Sequence, residues 1–185
     1  MKRIIATLLA GLALFALVGC SSGKPAASST PINYAEILHD ARSDEDNEYN
    51  MIFSKGEDGK YVAQDGYSSE YDADQLNDEI ENMLLPLLGL EEGSYTDFAA
   101  SVSAMMVQSY GVAIVKPAEG KTQEVTDALN NYVLSQQQSM EHYLEDQYEI
   151  AKSAKVETVP TGEVVMVCCE NSDTVLANIK AALAK

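Results

Sequence analysis

Apolar positions three or four residues apart predict two helices in the first half of the chain. The first covers Tyr34 to Ala41, where the apolar residues fall on one helix face. The second covers Asp74 to Leu85. Pro86 is expected to end or bend this second helix, because a proline inside a helix lacks the N–H that the helix needs.

The segment between these helices has no strong period. Residues 43–71 are acidic and contain glycine, and a hairpin is possible from Tyr49 to Val62 with its turn at residues 55–59. This segment therefore contributes least to the predicted fold.

The second half of the chain repeats one order of elements: strand, strand, helix. The predicted strands are Phe98–Val107, Val112–Val115, Ala154–Val159 and Val164–Cys169, and the predicted helices are Glu119–Leu144 and Ser172–Leu183. Ser172 is expected to cap the last helix, since a serine hydroxyl accepts well from the first free backbone N–H groups.

Two such units predict an α+β fold, with one four-stranded antiparallel sheet of strand order 1-2-4-3 and helices packed on it. Val112–Val115 and Val164–Cys169 are apolar at successive positions, which is typical of central strands covered on both faces. Lys155 and Glu157 alternate with less polar residues, as expected at a sheet edge. The N-terminal helices are expected to cover the opposite face.

The start of the chain has the organisation of a bacterial export signal. Lys2 and Arg3 precede an apolar stretch from Ile4 to Val18. This stretch is too short for a membrane-spanning helix, which needs about 20 residues. The stretch ends in Leu-Val-Gly-Cys at Cys20, which resembles the lipobox of bacterial lipoproteins. We expect cleavage immediately before Cys20 and a diacylglyceryl thioether on its sulfur.

These features divide the chain into a signal peptide at 1–19, a lipidated flexible tether at 20–33 and a single extracytoplasmic α+β domain at 34–185. The domain is expected to contain a variable helical and hairpin region at 34–92 and a duplicated core at 93–185. Two acyl chains would hold the protein at the outer face of the cell membrane without any help from the folded surface.

The charge balance limits the partners. The net charge is −17, from 12 basic and 29 acidic residues. A protein of this sign repels nucleic acid and anionic lipid, whereas cations and positively charged partners are favoured. Because negative charge also serves solubility, it identifies no partner by itself.

Cys168 and Cys169 are neighbours on a predicted strand, so their thiols should point to opposite faces. A bridge between them would need a strained turn, and a metal or redox site would need another spacing or nearby histidines. We interpret both as small buried hydrophobic residues.

Candidate catalytic residues are few. His39 and His142 lie on predicted helices without a partner at metal-ligand spacing, and we interpret them as solvated. Tyr148 and Lys152 have the four-residue spacing of short-chain dehydrogenases, but the chain lacks a dinucleotide-binding glycine motif, which favours a packed tyrosine beside a solvated lysine. The sequence predicts no catalytic residue, cofactor or metal site.

A cation site is one alternative for Asp44, Asp46 and Glu48, which alternate as calcium-loop ligands do. Tyr49 stands where such a loop has glycine. The other interpretation is a solvated acidic loop.

Tyr61, Tyr67 and Tyr71 form an aromatic group in a polar stretch. They could stack on a sugar or a peptide. Because the chain has no tryptophan and no helical register links the three, packing within the hairpin is favoured.

The second half also resembles a known family. The matching text is Gly111–Lys121, Glu124-Val125, the region of Gln136–Gln138, Glu141–Gln147 and the closing apolar strand and helix. On these residues, the chain from roughly Leu84 onward resembles the lipoproteins of Gram-positive gut bacteria that carry the domain of unknown function numbered 4358. It departs from them at Glu145, where members often have proline, and at Ser43–Tyr71, which looks like an insertion. The resemblance implies an extracytoplasmic lipoprotein with this order of strands and helices, and it implies no activity.

Two functions follow as hypotheses. The first is a non-catalytic binding or interaction module of the cell envelope, anchored through Cys20, whose partner is an unknown envelope protein or ligand. It predicts an uncovered apolar patch or a pocket. The alternative is an exported enzyme that uses carboxylates as general acid and base, and it predicts two carboxylates facing each other across a cleft, one with a strongly raised pKa.

Overall fold

A computed structural model of the chain describes residues 32–56, 58–105 and 107–185. The predicted signal peptide, nearly all of the tether and Cys20 lie outside the described residues. The described elements are α1 Tyr34–Ala41, α2 Asp44–Tyr49, β1 Ile52–Lys55, β2 Tyr61–Gln64, α3 Ala73–Glu79, α4 Leu85–Leu88, β3 Tyr95–Val102, β4 Gly111–Pro117, α5 Thr122–Met140, α6 Glu145–Ser153, β5 Lys155–Thr158, β6 Val164–Cys168 and α7 Ser172–Leu183. A 3-10 turn at Ser68–Glu70 precedes α3, and a π-helical turn at Ile80–Leu84 joins α3 to α4.

The strands form one antiparallel sheet of six, in the order β2-β1-β3-β4-β6-β5. The prediction of a four-stranded sheet is therefore wrong. The hairpin β1–β2 adds two strands beyond β3, with Phe53 opposite Ala100 and Ser54 opposite Ala99. The hairpin expected between Tyr49 and Val62 is present as β1–β2, but its pairing with β3 was not predicted, because each of its strands has only four residues and only Ile52 and Phe53 are fully buried.

Helices cover both faces of the sheet. One apolar core lies between the sheet and α1 and α7; the other lies between the sheet and α3 to α6. The two predicted strand-strand-helix units therefore do not pack alike, because α5 follows β4 onto one face and α7 follows β6 onto the other. The fold is α+β, with the sheet as its middle layer.

The central strands are buried on both faces, as their continuous apolar sequence predicts. Gly111–Val115 of β4 and all of β6 are buried, because successive side chains enter opposite cores. Cys168 contributes to the core under α5 and Cys169 to the core under α7. The interpretation of these cysteines as divergent buried residues is confirmed, and β5 lies at the sheet edge as expected.

Several predicted boundaries are corrected. The helix expected at Glu119–Leu144 ends at Met140, and a short turn separates it from α6, because the extended backbone of Leu144 breaks the helix. The strand expected at Phe98–Val107 is Tyr95–Val102.

The end of the second predicted helix and the cap of the last one also differ. Pro86 sits in the first turn of α4, directly after the π-helical turn, and the helix continues past it to end at the left-handed Gly89. Asn171 holds the N-cap position of α7, while the Ser172 hydroxyl donates to the Ser153 carbonyl at 3.2 Å. Over the described residues, no helix is both long and apolar enough to cross a membrane.

Candidate functional site

A surface groove of about 610 Å³ lies between α4 and α5. Pro86, Leu87 and Gly89 form the apolar wall. The other wall is a mostly polar stripe along α5, made of Glu124, Asp127, Ala128, Asn131, Tyr132 and Ser135. Its volume falls within the roughly 300–1,000 Å³ of small-ligand sites.

The local sequence explains why the two helices leave a groove. Residues of α5 spaced three, four and seven apart share one face, so the stripe from Glu124 to Ser135 extends about 16 Å along the helix. α4 is a single turn that ends at Gly89 with φ 67°. A Cβ on Gly89 would lie 3.5 Å from the Cβ of Ala128, an ordinary van der Waals distance, so the two helices meet at these residues and it is the positive φ that favours glycine.

Tyr132 forms a rigid floor for the groove. Its side chain is almost fully buried, and its hydroxyl donates to the Tyr110 carbonyl oxygen at 2.6 Å. Gly111 leaves room for the ring, since a Cβ there would lie 2.6 Å from Tyr132 Cε1. Burial raises the pKa of Tyr132, so its hydroxyl stays protonated and keeps donating.

The carboxylates of the groove are exposed and already engaged with polar neighbours. Glu124 Oε2 lies 2.5 Å from Lys121 Nζ, and Glu124 raises the pKa of that lysine. Asp127 accepts from Gln123 Nε2 at 2.9 Å. The groove thus combines charged, amide and hydroxyl groups with an apolar wall, which is the chemistry of a binding surface.

A second polar constellation surrounds Arg42, whose side chain is fully buried. Its guanidinium donates to five acceptors from four parts of the fold: Asn47 Oδ1 at 2.6 and 3.0 Å, the Asn50 carbonyl at 3.2 Å, Asp65 Oδ2 at 3.2 Å, Ser101 Oγ at 2.7 Å and Tyr110 Oη at 2.9 Å. Arg42 therefore ties α2, β3, the residue before β4 and the turn after β2 to the end of α1. No sequence motif signals this network, because its most distant partner is 68 residues away.

Both histidines are exposed, as expected, but their surroundings differ from the prediction. His39 Nδ1 lies 2.8 Å from Asp65 Oδ2, so this residue is paired although about half exposed. Asp65 thereby joins His39 to Arg42. His142 is exposed, and it lies in the turn after α5 rather than within a helix.

The acidic run is helical rather than a calcium loop. Asp44, Asp46 and Glu48 belong to α2, which begins after Ser43, whose hydroxyl accepts from the Asp46 N–H at 3.0 Å. Alternate residues of a helix do not face one another, so these three carboxylates do not converge. In the parts of the chain that the structure describes, no three His, Cys, Asp or Glu side chains are grouped to hold a metal ion.

The tyrosine group is split by the fold. Tyr61 packs on Phe98, with ring centroids 6.3 Å apart, whereas Tyr67 and Tyr71 are exposed. Packing is thus confirmed for Tyr61 alone. Tyr148 lies under Lys152, whose Nζ is 5.1 Å from the ring centroid and 2.8 Å from Glu149, which agrees with a tyrosine beside a solvated lysine.

A row of charged residues at one end of the sheet bears on the enzyme alternative. Asp97 pairs with Lys116 across β3 and β4, and Glu163 precedes β6. Burial raises the pKa of Asp97, while the Phe98 N–H and Lys116 partly lower it. Because the charge of Lys116 acts on both carboxyls, the row is unlike two carboxylates facing each other across a cleft.

Glu163 is the buried member of this row, 2% exposed. Its Oε1 accepts from the Tyr34 hydroxyl at 2.8 Å, while Oε2 has no well-formed hydrogen bond. Burial raises the pKa of Glu163, but Thr161, Tyr34, its own N–H and Lys116 together hold the pKa below its usual value. The residue therefore stays ionised and fixes the start of α1 to the sheet.

The fold and the groove together define an α+β domain with a surface cleft between two helices on one face of its sheet. Residues 69–169, just over half of the chain, match the family described as a domain of unknown function, DUF4358. The chain belongs to this family. No curated protein and no solved structure matches it. The matched span contains every residue that lines the groove and excludes Arg42 and Tyr49.

Proposed function

We propose that this protein is a membrane-anchored extracytoplasmic lipoprotein that serves as a non-catalytic binding module of the cell envelope, with the groove between α4 and α5 as its binding site. The observation that carries this proposal is the groove itself. It is concave, has a rigid floor, joins an apolar wall to hydrogen-bonding side chains, and lies within the family-matched span.

The anchor is argued from the sequence. Basic residues, an apolar stretch and a lipobox-like ending stand in order before Cys20, and the resemblance to lipoproteins of Gram-positive gut bacteria supports the same location. A lipid on Cys20 would place the domain at the outer face of the cell membrane. Its partner would then be another envelope protein or a ligand that reaches this face.

Binding fits the groove better than catalysis does. Its carboxylates, Glu124 and Asp127, are exposed, and each already contacts a neighbour on α5 or just before it. Hydrogen-bonding groups along about 16 Å of α5 suit a ligand that lies along the helix.

The assignment of the groove as the binding site is tested with a substitution that fills the groove. In the full-length protein in cells, a photo-crosslinking amino acid at Asn131 should capture the partner or ligand. Ala128→Phe places a phenyl ring in the groove and should abolish that adduct. The matched control is Ala177→Phe, the same change at an exposed position of α7, which should leave the adduct intact.

The outcomes are read together with the unfolding midpoints of both variants, which establish that both fold. An adduct of unchanged yield in Ala128→Phe would contradict the assignment of the groove. Capture of nothing at Asn131 in the unsubstituted groove would contradict it as well.

A further inference from the structure

Two tyrosines with more than half of their surface exposed lie on adjoining backbone segments of the N-terminal region. Tyr49 is 52% exposed and ends α2, and Tyr67 is 54% exposed and follows Gly66. Gly66 joins the two segments, because its N–H donates to the Asn47 carbonyl at 2.9 Å and a Cβ on it would lie 2.6 Å from the Met51 nitrogen. We call these two residues the tyrosine pair.

The tyrosine pair rests on a rigid support. Arg42 donates to Asn47, two residues before Tyr49, and to Asp65, two residues before Tyr67. Both backbone segments are thereby fixed to one buried side chain. A ligand that docks on the pair would not have to order these segments, which removes one of the usual costs of binding.

The surroundings of the tyrosine pair are negative. Glu45 is one helical turn before Tyr49, and Glu48 is its neighbour; both are exposed. Glu48 foremost, together with Tyr67 and Glu45, raises the pKa of Tyr49, which reflects the negative potential at its hydroxyl. The nearby guanidinium of Arg42 is buried and its donors are occupied, so it offers this surface little compensation.

Aromatic faces and carboxylates share a preference for one kind of group. The guanidinium of arginine stacks on tyrosine rings and pairs with carboxylates through a planar fork of N–H donors. We propose that the tyrosine pair with Glu45 and Glu48 is a docking surface for an arginine-bearing peptide segment of a partner protein. This surface lies outside the family-matched span, so it is a property of this chain beyond the groove.

The chain offers a matched control surface. Tyr143 is 64% exposed, and it lies between the exposed residues Glu141 and Glu145 in the turn after α5. It therefore repeats the composition of the proposed surface without a second tyrosine or the Arg42 support. Nonspecific attraction to a protein of net charge −17 would affect both surfaces alike.

The test is a titration of the full-length protein in detergent with a fluorescent peptide of alternating arginine and glycine. Tyr49→Ala and Tyr67→Ala should each weaken binding about two- to fivefold, the value of one exposed cation–π contact. The double variant Glu45→Gln with Glu48→Gln should bind the peptide more weakly than either alanine variant. Tyr49→Phe keeps the aromatic ring and should bind like the parent protein. A peptide with citrulline in place of arginine should not bind. Tyr143→Ala and Glu141→Gln with Glu145→Gln should leave the Kd unchanged.

Three results would overturn the proposal. The first is equal loss at the two surfaces, which would show nonspecific charge attraction. The second is equal affinity for the citrulline peptide. The third is binding of N-acetylglucosamine oligomers that depends on the tyrosine pair and displaces the peptide, which would make the surface a carbohydrate site.

Discussion

The central strands and the N-terminal segment are held in one sheet by different forces. β4 and β6 are apolar at nearly every position and lie between two cores, so burial of hydrocarbon fixes them. In residues 43–71, as far as the structure describes them, only Ile52 and Phe53 are fully buried, and Arg42 adds charge-assisted hydrogen bonds to the pairing of β1 with β3. An acidic segment with few core residues can therefore join a sheet when a buried cation reinforces a short strand pairing.

Removal of Arg42 should have the largest effect on stability of the changes that distinguish the two regions. Arg42→Ala removes the donor to Ser101 and Tyr110 and leaves Asp65 Oδ2 with His39 alone. The free energy of unfolding should therefore fall by about 3–5 kcal/mol. Urea unfolding measures the change.

The control for Arg42 is an exposed ion pair. Lys152→Ala removes the contact with Glu149 and should cost at most about 1 kcal/mol. If Arg42→Ala costs no more than this control, the N-terminal segment is not held by the arginine.

Tyr34→Phe should have a smaller effect that depends on pH. It removes the donor to Glu163 Oε1 and should cost about 1–3 kcal/mol at pH 7. The folded pKa of Glu163 is below its usual 4.5, so the stabilisation is present above that pH and is lost as the pH falls through the folded pKa. The difference between the two proteins should therefore narrow below about pH 4.

Urea unfolding at several pH values measures this difference. Asp97 has the opposite effect on stability, because its pKa is raised and its ionisation therefore destabilises the folded state. Both proteins contain Asp97, so its contribution cancels in the difference between them. Tyr143→Phe, at an exposed tyrosine, should change nothing. A gap between Tyr34→Phe and the parent that is constant from pH 7 to pH 3 would refute the role of the Glu163 charge.

Substitution of the two buried cysteines tests the apolar core and should have the smallest effect on stability. Cys168→Ala and Cys169→Ala should each cost about 1 kcal/mol, as small losses of buried volume do. Burial raises the pKa of both thiols to about 12, so alkylation at pH 8 should be slow in the folded chain and fast in denaturant. Rapid alkylation of either thiol in the native protein, followed by mass spectrometry, would show that it is not a core residue.

The same contrast explains what the sequence could predict. The run Val112–Val115 marks a central strand because four successive apolar residues suit no exposed element. Arg42 and Asp65 give no such signal, since a polar contact between residues 23 positions apart has no period. Ile52 and Phe53 are too short an apolar run to show that the hairpin expected there pairs with β3.

The candidate site shows the same limit. Periodicity predicts α5, but α4 extends beyond the predicted end of its helix at Leu85. The groove also depends on the left-handed Gly89 meeting Ala128, which is a tertiary contact. Its position was therefore not accessible from the pattern, although its polar stripe on α5 is visible in the sequence.

The proposed location is tested most directly by the chemistry of Cys20. Cells grown with labelled fatty acid should yield a protein whose mature N-terminal peptide begins at Cys20 and carries the label, because only a thiol at that position can form the diacylglyceryl thioether. Cys20→Ser should take up no label and should leave the domain released or uncleaved. Absence of label from the parent protein, or a mature N-terminus at another residue, would contradict the proposed anchor.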